Sequence, residues 1–187
     1  MFNEKSAGKL IVIVGPSGVG KGTIVRSLLE RHPQLCLSVS ATTRSPRQGE
    51  IDGKDYYFLS PEEFKNAIAE NEFLEWAEYA GNYYGTPKTK VREKLERGNH
   101  ILLEIELIGA RAIAKIMPDA LRIFILPPSL EELEQRIRKR GTNSEESIAR
   151  RIAIAQKEIA ARDEFDVVIV NKDLGTAISE VEAAIFN

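Results

Sequence analysis

The segment Gly15-Pro16-Ser17-Gly18-Val19-Gly20-Lys21 fits the pattern GxxxxGK. Glycines let successive backbone N–H groups turn inward without Cβ clashes, so these donors cradle the oxygens of an oligophosphate. The positive end of the helix that follows strengthens the attraction. Lys21 adds a point charge for the β- and γ-phosphates. The segment therefore predicts a binding site for an oligophosphate.

The two residues after this segment differ from the commonest form of the loop. A Ser or Thr usually follows the lysine, and its hydroxyl contacts Mg²⁺. Here Gly22 takes that position and Thr23 comes one residue later. The sequence therefore leaves open how the loop takes part in metal binding.

A polar loop further along the chain carries a second group of anion-binding side chains. Arg44 and Arg47 flank the rigid Pro46, and guanidinium groups suit paired contacts with phosphate. Tyr56 and Tyr84 supply phenolic hydroxyls for the same anion. By themselves these residues indicate a second anion site, and the alternative is a solvated loop.

Acidic and basic residues also lie at ends of the later elements. Glu104 and Glu106 end the apolar run ILLEIE, and alternate strand residues point to the same side. Carboxylates at the carboxyl end of a parallel strand suit Mg²⁺ and ligand contacts, although an acidic strand end facing solvent is the alternative. Arg136 and Arg140 share a helix face, and Arg151 follows on the next helix.

These side chains must be positioned by alternating apolar strands and amphipathic helices. Strands are predicted at 9–14, 35–40, 73–79, 100–105, 121–126 and 166–170. Helices are predicted at 20–31, after Ser60, around 91–97, from about 109 to 117, after Ser129, after Thr142 and at 173–186. Ser60, Ser129 and Thr142 each precede an acid by three residues, as in a capping box.

This alternation predicts an α/β fold of three layers, in which helices cover both faces of a central parallel sheet. The stretch 35–88 interrupts the rhythm because it is polar and rich in Tyr and Gly. We expect it to form a small mixed α/β lobe inserted into the core.

Composition excludes several classes of protein. The chain has 187 residues, 43% hydrophobic and 29% charged, and a net charge of −2, so no global basic surface favours nucleic acid. Its one cysteine, Cys36, forms no intrachain disulfide, which fits a cytoplasmic protein. No apolar stretch approaches the length needed to span a bilayer or to act as a signal peptide. The sequence favours no particular oligomeric state.

The chain resembles the guanylate kinase family of P-loop nucleoside monophosphate kinases. The resemblance lies in GKGT at the phosphate loop, SVSATTRSPRQGE, GKDYYF, FLEWAEYAGNYYGT, PPS, RGTNSEESIARR and VIVN. It covers nearly the whole chain, and the stretch 38–86 is the specific part. The resemblance implies phosphoryl transfer from ATP to GMP, and to dGMP, with Mg²⁺ as cofactor. It also implies one domain over 1–187, with its core at 1–34, 89–128 and 151–187, a GMP-binding lobe at 35–88 and a lid at 129–150.

The resemblance also implies roles for individual residues. It places ATP on residues 15–23 and Asn171, the GMP phosphate on Arg44, Arg47, Tyr56 and Tyr84, and guanine on Ser40, Glu75 and Thr86. Catalytic charge would come from Lys21, Arg44, Arg136, Arg140 and Arg151, with Glu104 on the metal side and Glu106 on the GMP side. The family often has Asp at the second of these acids and Gln two residues on, where this chain has Glu106 and Ile108.

Two other functions compete with this interpretation. Another small P-loop kinase, for adenylate or ribose bisphosphate, would share the loop but not the Glu75 and Ser40 pair. A guanylate kinase-like scaffold module that binds phosphopeptides would share the 38–86 lobe, but such modules have lost the ATP loop, whereas Lys21 is present here.

Overall fold

The computed structural model describes residues 8–79, 81–139 and 144–187. Its strands are β1 (Leu10–Val14), β2 (Leu35–Leu37), β3 (Ala41–Thr42), β4 (Tyr57–Phe58), β5 (Phe73–Tyr79), β6 (Asn82–Pro87), β7 (His100–Glu104), β8 (Leu121–Leu126) and β9 (Val167–Val170). Its helices are α1 (Lys21–Arg31), α2 (Pro61–Ala69), α3 (Lys88–Glu96), α4 (Leu107–Ile116), α5 (Leu130–Lys139), α6 (Glu145–Ala160) and α7 (Leu174–Phe186).

Two sheets organise these elements. One has five strands in the order β2-β7-β1-β8-β9, and the other has four in the order β4-β3-β6-β5. Strand β1 pairs with β8, β8 with β9 and β2 with β7, and all three pairings are parallel. The predicted α/β fold with a central parallel sheet is therefore confirmed.

The chain divides into two compact units. Unit 1 comprises 1–10, 34–103 and 108–120, and unit 2 comprises 11–33, 104–107 and 121–187. The predicted boundaries of lobe and lid remain a prediction.

Unit 2 is built around the apolar strands β1 and β8. All five residues of β1 are buried, and Ile123, Phe124 and Ile125 of β8 are fully buried. Continuous apolar runs of this kind form strands that are covered on both faces, as the sequence predicted. The carboxyl ends of such parallel strands are where ligands bind in open α/β sheets.

Unit 1 contains the mixed four-stranded sheet, and helix α2 covers one of its faces. Phe64 of α2 stacks on Phe73 with ring centroids 4.5 Å apart and on Tyr83 at 5.5 Å. A Cβ on Gly85 would lie 2.9 Å from the Phe73 ring and 3.0 Å from Phe64, so glycine allows this close packing. The other face of the sheet is left for polar side chains.

Two predicted helix starts illustrate how local chemistry sets the element bounds. The capping box at Ser60 forms as predicted, because Ser60 accepts from the Glu63 amide and Glu63 accepts from the Ser60 amide. The N-cap predicted at Thr142 is wrong, since α6 starts at Glu145 and its N-cap is Ser144, whose hydroxyl accepts from the Ser147 amide. Both residue types cap helices well, so sequence alone does not choose between them. Thr142 itself lies outside the described residues.

No helix in residues 8–79, 81–139 and 144–187 has the length and apolar character that crossing a membrane requires.

Candidate functional site

The predicted phosphate loop lies between β1 and α1 of unit 2. Gly20 is the N-cap of α1 and has a left-handed backbone with φ 106°. A Cβ there would come within 2.5 Å of Asn171 Nδ2, so this position requires glycine for both backbone and space. The first turn of α1 contains no acidic residue. The helix's own first turn thus supplies no carboxylate that would compete with an anion for its positive end.

Lys21 bends back along the loop. Its ammonium donates to the carbonyl oxygen of Gly15 and, at 3.4 Å, to that of Pro16. A lysine held by carbonyl oxygens of the same loop keeps its charge where phosphate oxygens are expected. Both of these contacts are hydrogen bonds to the backbone of the loop.

Two of the predicted catalytic arginines touch this loop. Arg151 Nη2 donates to Ser17 Oγ at 2.5 Å, and Arg136 Nη1 donates to the Val19 carbonyl oxygen at 3.4 Å. Arg136 also pairs with Glu132 at 3.1 Å on its own helix. Both guanidinium groups therefore lie within reach of a ligand on the loop. Arg140 lies outside the described residues.

Asn171 is buried directly after β9. Its side-chain Nδ2 donates to the Val19 carbonyl oxygen at 2.7 Å, and its own carbonyl oxygen accepts from Arg136 Nη2 at 3.1 Å. The side chain thus fixes the loop by a buried hydrogen bond. This contact is to protein backbone, and the role in ATP binding that the resemblance implies for Asn171 stays a prediction.

A group of carboxylates lies beside the loop in unit 2. Glu104 ends β7, and its carboxylate oxygens lie 3.8 and 3.9 Å from the position that a Cβ on Gly22 would take. Desolvation raises the pKa of the Glu104 carboxyl, Lys21 opposes this effect and Glu106 adds to it. Glu104 therefore lies close to the start of α1, and a Cβ at position 22 would make only ordinary van der Waals contact with its carboxylate.

Glu158 of α6 joins this group and was missed by the sequence analysis. It is buried, and desolvation followed by the charge of Glu106 raises its pKa to about 7, while Lys21 opposes the shift. A hydrogen bond between the Glu158 and Glu106 carboxyls contributes in the same direction. The sequence feature that could have indicated it is an acid three residues after Ala155, on the apolar face of α6.

In unit 1, Glu75 and Thr86 face one another across β5 and β6. They are direct partners in the antiparallel ladder, and Thr86 Oγ1 donates to Glu75 Oε1 at 2.6 Å. Burial raises the pKa of Glu75, and the hydrogen bond from Thr86 opposes that shift. Glu75 is 7% exposed and Thr86 is fully buried. Hydrogen bonds from a ligand to a carboxylate buried in this way are strong, because little water competes with the ligand for its oxygens.

A cationic and aromatic cluster lies on the same face of that sheet. Tyr84 and Thr86 are two apart on β6 and so point to the same side. The rings of Tyr56 and Tyr84 are 6.3 Å apart, and the Arg44 guanidinium lies 4.9 Å from the Tyr56 ring centroid. The structure thus groups Arg44, Tyr56 and Tyr84, as a shared anion site requires.

The remaining predicted residues of unit 1 lie at the margin of this cluster. Arg47 is exposed, and its backbone amide donates to Glu50 Oε2 at 2.7 Å. Ser40 directly precedes β3 and is half-buried, and its carbonyl oxygen accepts from the Tyr57 amide at 2.9 Å. Glu50, to which no role was assigned from the sequence, joins the two arginines. Its position three residues after Arg47 is the sequence feature that could have indicated this contact.

Comparison with known proteins assigns the chain to a family. The family model described as guanylate kinase matches residues 7–187. A guanylate kinase of Trichormus variabilis is 60% identical over 97% of this chain and 91% of its own length. The chain belongs to the guanylate kinase family. The resemblance inferred from the sequence is confirmed, and with it the enzyme class, a nucleotide kinase.

Solved structures agree with this family. The crystal structure of guanylate kinase from Anaplasma phagocytophilum matches with a TM-score of 0.80 at 34% identity, over 96% of this chain and 85% of that one. The SH3-kinase fragment of tight junction protein 3 matches with a TM-score of 0.54 at 17% identity, over 98% of this chain and 58% of that one. The second likeness shows only the fold. The guanylate kinase fold thus extends beyond close relatives, and residues must decide the activity.

Proposed function

We propose that this chain phosphorylates GMP, and dGMP, with ATP as the phosphoryl donor. The observation that carries the proposal is the arrangement on one sheet face of unit 1. There, Glu75 with Thr86 lies on the same side as the cluster of Arg44, Tyr56 and Tyr84. A nucleoside monophosphate has the two matching parts, a base and a phosphate.

The chemistry of guanine explains why an acid serves the base. Guanine presents two adjacent donors, N1–H and N2–H₂, and one ionised carboxylate accepts from both. Its O6 needs a donor, which a hydroxyl such as that of Ser40 or Thr86 supplies. Adenine presents an acceptor at N1, so Glu75 would repel it. A pocket that hydrogen-bonds its substrate in this way rejects analogues strongly, because its polar groups would stay unpaired.

The chain's part in the transfer is positioning and charge. The attacking group is a phosphate oxygen, already anionic near neutral pH, so the protein needs no nucleophile and no strong base. The loop amides hold the ATP phosphates, and Lys21 would turn from the Gly15 carbonyl to those oxygens. Arg136 and Arg151, already at the loop, would offset charge that develops on the transferred group.

The residues present fit a magnesium ion that arrives with the nucleotide. Among the described residues no cluster of three or more His, Cys, Asp or Glu offers a complete metal site. Mg²⁺ commonly uses one or two carboxylates with water and substrate phosphates. Glu104, next to Gly22, is the side chain that would hold it, directly or through water. When bound, the ion would polarise and neutralise the phosphate oxygens.

The proposed setting is purine nucleotide metabolism in the cytoplasm, with ATP and GMP as small-molecule partners. The proposal includes neither nucleic acid nor membrane as a partner. A net charge of −2 supports the first of these two exclusions.

The test measures transfer of the labelled phosphate from γ-³²P-ATP to each candidate acceptor. The proposal predicts labelled GDP with GMP, labelled dGDP with dGMP, and loss of both products in EDTA with recovery on adding MgCl₂. Labelled ADP from AMP at a comparable rate would instead favour the adenylate kinase alternative. Binding of a phosphopeptide, without transfer to any nucleotide, would favour the scaffold alternative.

A further inference from the structure

Glu50 makes a paired contact with the guanidinium group of Arg44. Glu50 Oε2 accepts from Nη1 at 2.7 Å, and Oε1 accepts from Nη2 at 2.8 Å. Oε2 also accepts from the Arg47 amide at 2.7 Å, and the Glu50 amide donates to the Arg47 carbonyl oxygen at 3.1 Å. One carboxylate therefore ties Arg44 to the backbone of Arg47, across the polar loop.

The donors of Arg44 can be counted from these contacts. A guanidinium group has five N–H donors. Glu50 takes one from each Nη, and the Ser45 carbonyl oxygen accepts from Nη1 at 2.9 Å. Within the described residues this leaves the Nε–H and the second N–H of Nη2. These two donors lie on one edge of the group, which is the edge suited to a second paired contact with phosphate.

Aromatic packing fixes the plane of the same group. The Arg44 guanidinium lies 4.9 Å from the ring centroid of Tyr56 and 5.8 Å from that of Phe58. The side chains of Arg44 and Glu50 are 13% and 19% exposed. The Arg44 hydrogen bond is the main cause that lowers the pKa of Glu50 to about 2, so Glu50 is ionised throughout the range of an enzyme assay. The pair is thus a preformed, charged unit and not a passing surface contact.

We propose that Glu50 is a positioning residue for the acceptor phosphate, acting through Arg44. By holding one edge of the guanidinium, it presents the other edge, Nε–H and Nη2–H, to the phosphate of GMP. This inference rests on the proposed function. The opposite role, in which Glu50 competes with the phosphate for Arg44, would require the carboxylate to leave. The Arg47 amide holds Glu50 in place, and the hydrogen bonds of Arg44 within the described residues leave the edge needed for phosphate unused.

The first test is Glu50→Gln, compared with Glu93→Gln on the exposed surface of α3. An amide keeps the size but gives Arg44 only one acceptor, so the guanidinium loses half of the paired contact that orients it within the plane set by the aromatic rings. We expect KM for GMP to rise about tenfold or more, KM for ATP to change less than twofold, and the thermal midpoint to stay near that of Glu93→Gln. Glu50→Asp keeps the charge and should recover part of the loss.

A double-mutant cycle separates action through Arg44 from a general effect on the loop. In an Arg44→Ala background, Glu50→Gln should raise KM for GMP by less than twofold. A tenfold rise in that background would overturn the proposal, as would an unchanged or lowered KM in the single variant, the result that competition predicts. If wild type is active on GMP, these outcomes refute the role of Glu50 alone. A wild-type enzyme that is inactive on GMP would overturn the proposed function and the role of Glu50 together.

Discussion

Replacing Glu75 by Gln removes the charge of the proposed guanine reader and keeps its size. Thr86 donates to Glu75 Oε1 at 2.6 Å, and this bond holds the amide oxygen of the new side chain at the same place. The amide N–H₂ then faces two guanine donors, where the wild-type carboxylate offers a second acceptor. A hydrogen bond to a charged group contributes about 1.5–3 kcal/mol, and a buried, mispaired donor costs a similar amount.

These terms predict a large and selective loss. At about 1.4 kcal/mol for each factor of ten, kcat/KM for GMP should fall by about a hundredfold or more. The phosphate loop belongs to the other unit, so KM for ATP should change less than about twofold. AMP should lose part of its disadvantage, because the amide offers adenine N1 a donor.

The assay is steady-state kinetics with GMP and AMP at saturating ATP, on wild type, Glu75→Gln and Glu78→Gln. Glu78 lies exposed on the same strand and supplies the matched control. Efficiency with GMP within threefold of wild type in Glu75→Gln would show that this acid does not read guanine. A similar loss in Glu78→Gln would show that charge on the strand, and not position, causes the effect.

Three further changes test the phosphate loop and its surroundings. Lys21→Ala should lower kcat about a hundredfold or more with little change in thermal midpoint, since Lys21 touches loop carbonyls; near-normal turnover would refute its role. Asn171→Ala should lower the free energy of unfolding by about 1–3 kcal/mol in urea titration, because the buried Val19 carbonyl loses its 2.7 Å donor; an unchanged value would contradict this. Glu158→Gln should stabilise the protein at pH 8 by about 1–3 kcal/mol and barely at pH 4.5, as urea titrations at both pH values would show. In the folded protein Glu158 keeps its proton up to about pH 7, whereas in the unfolded chain it loses the proton near pH 4.5. The free energy of unfolding of the wild type therefore falls as the pH rises between these two values. An equal effect of Glu158→Gln at both pH values would contradict the argument that burial raises this pKa.

The sequence predicted those parts of the fold that are specified by patterns within a short stretch of consecutive residues. The phosphate loop occupies consecutive residues, and β5 was predicted at its observed bounds because a seven-residue strand has a readable pattern. The two-residue strands β3 and β4 carry no such pattern. β3 is a strand because Ala41 and Thr42 pair with Gly85 and Tyr84 far along the chain, and β4 is a strand because it pairs with β3.

The site residues show the same division. Arg44 was indicated by its polar loop, whereas Glu75 and Thr86 were named through family resemblance. The structure adds that ladder pairing joins Glu75 to Thr86. Glu158 was missed because periodicity assigns its helix face to the core. The raised pKa of Glu158 depends in part on Glu106, which is distant in sequence. Side-chain proximity of this kind has no signature in a single sequence.

Recognition of guanine by Glu75 should make the wild-type enzyme strongly selective for GMP over AMP. The ratio of kcat/KM for GMP to that for AMP is measured on the wild-type enzyme with saturating ATP and MgCl₂. A carboxylate that pairs with guanine and repels adenine predicts a ratio of about ten thousand or more, as for sites that hydrogen-bond their substrate. A ratio below about ten would contradict guanine recognition by Glu75 and the proposed function with it.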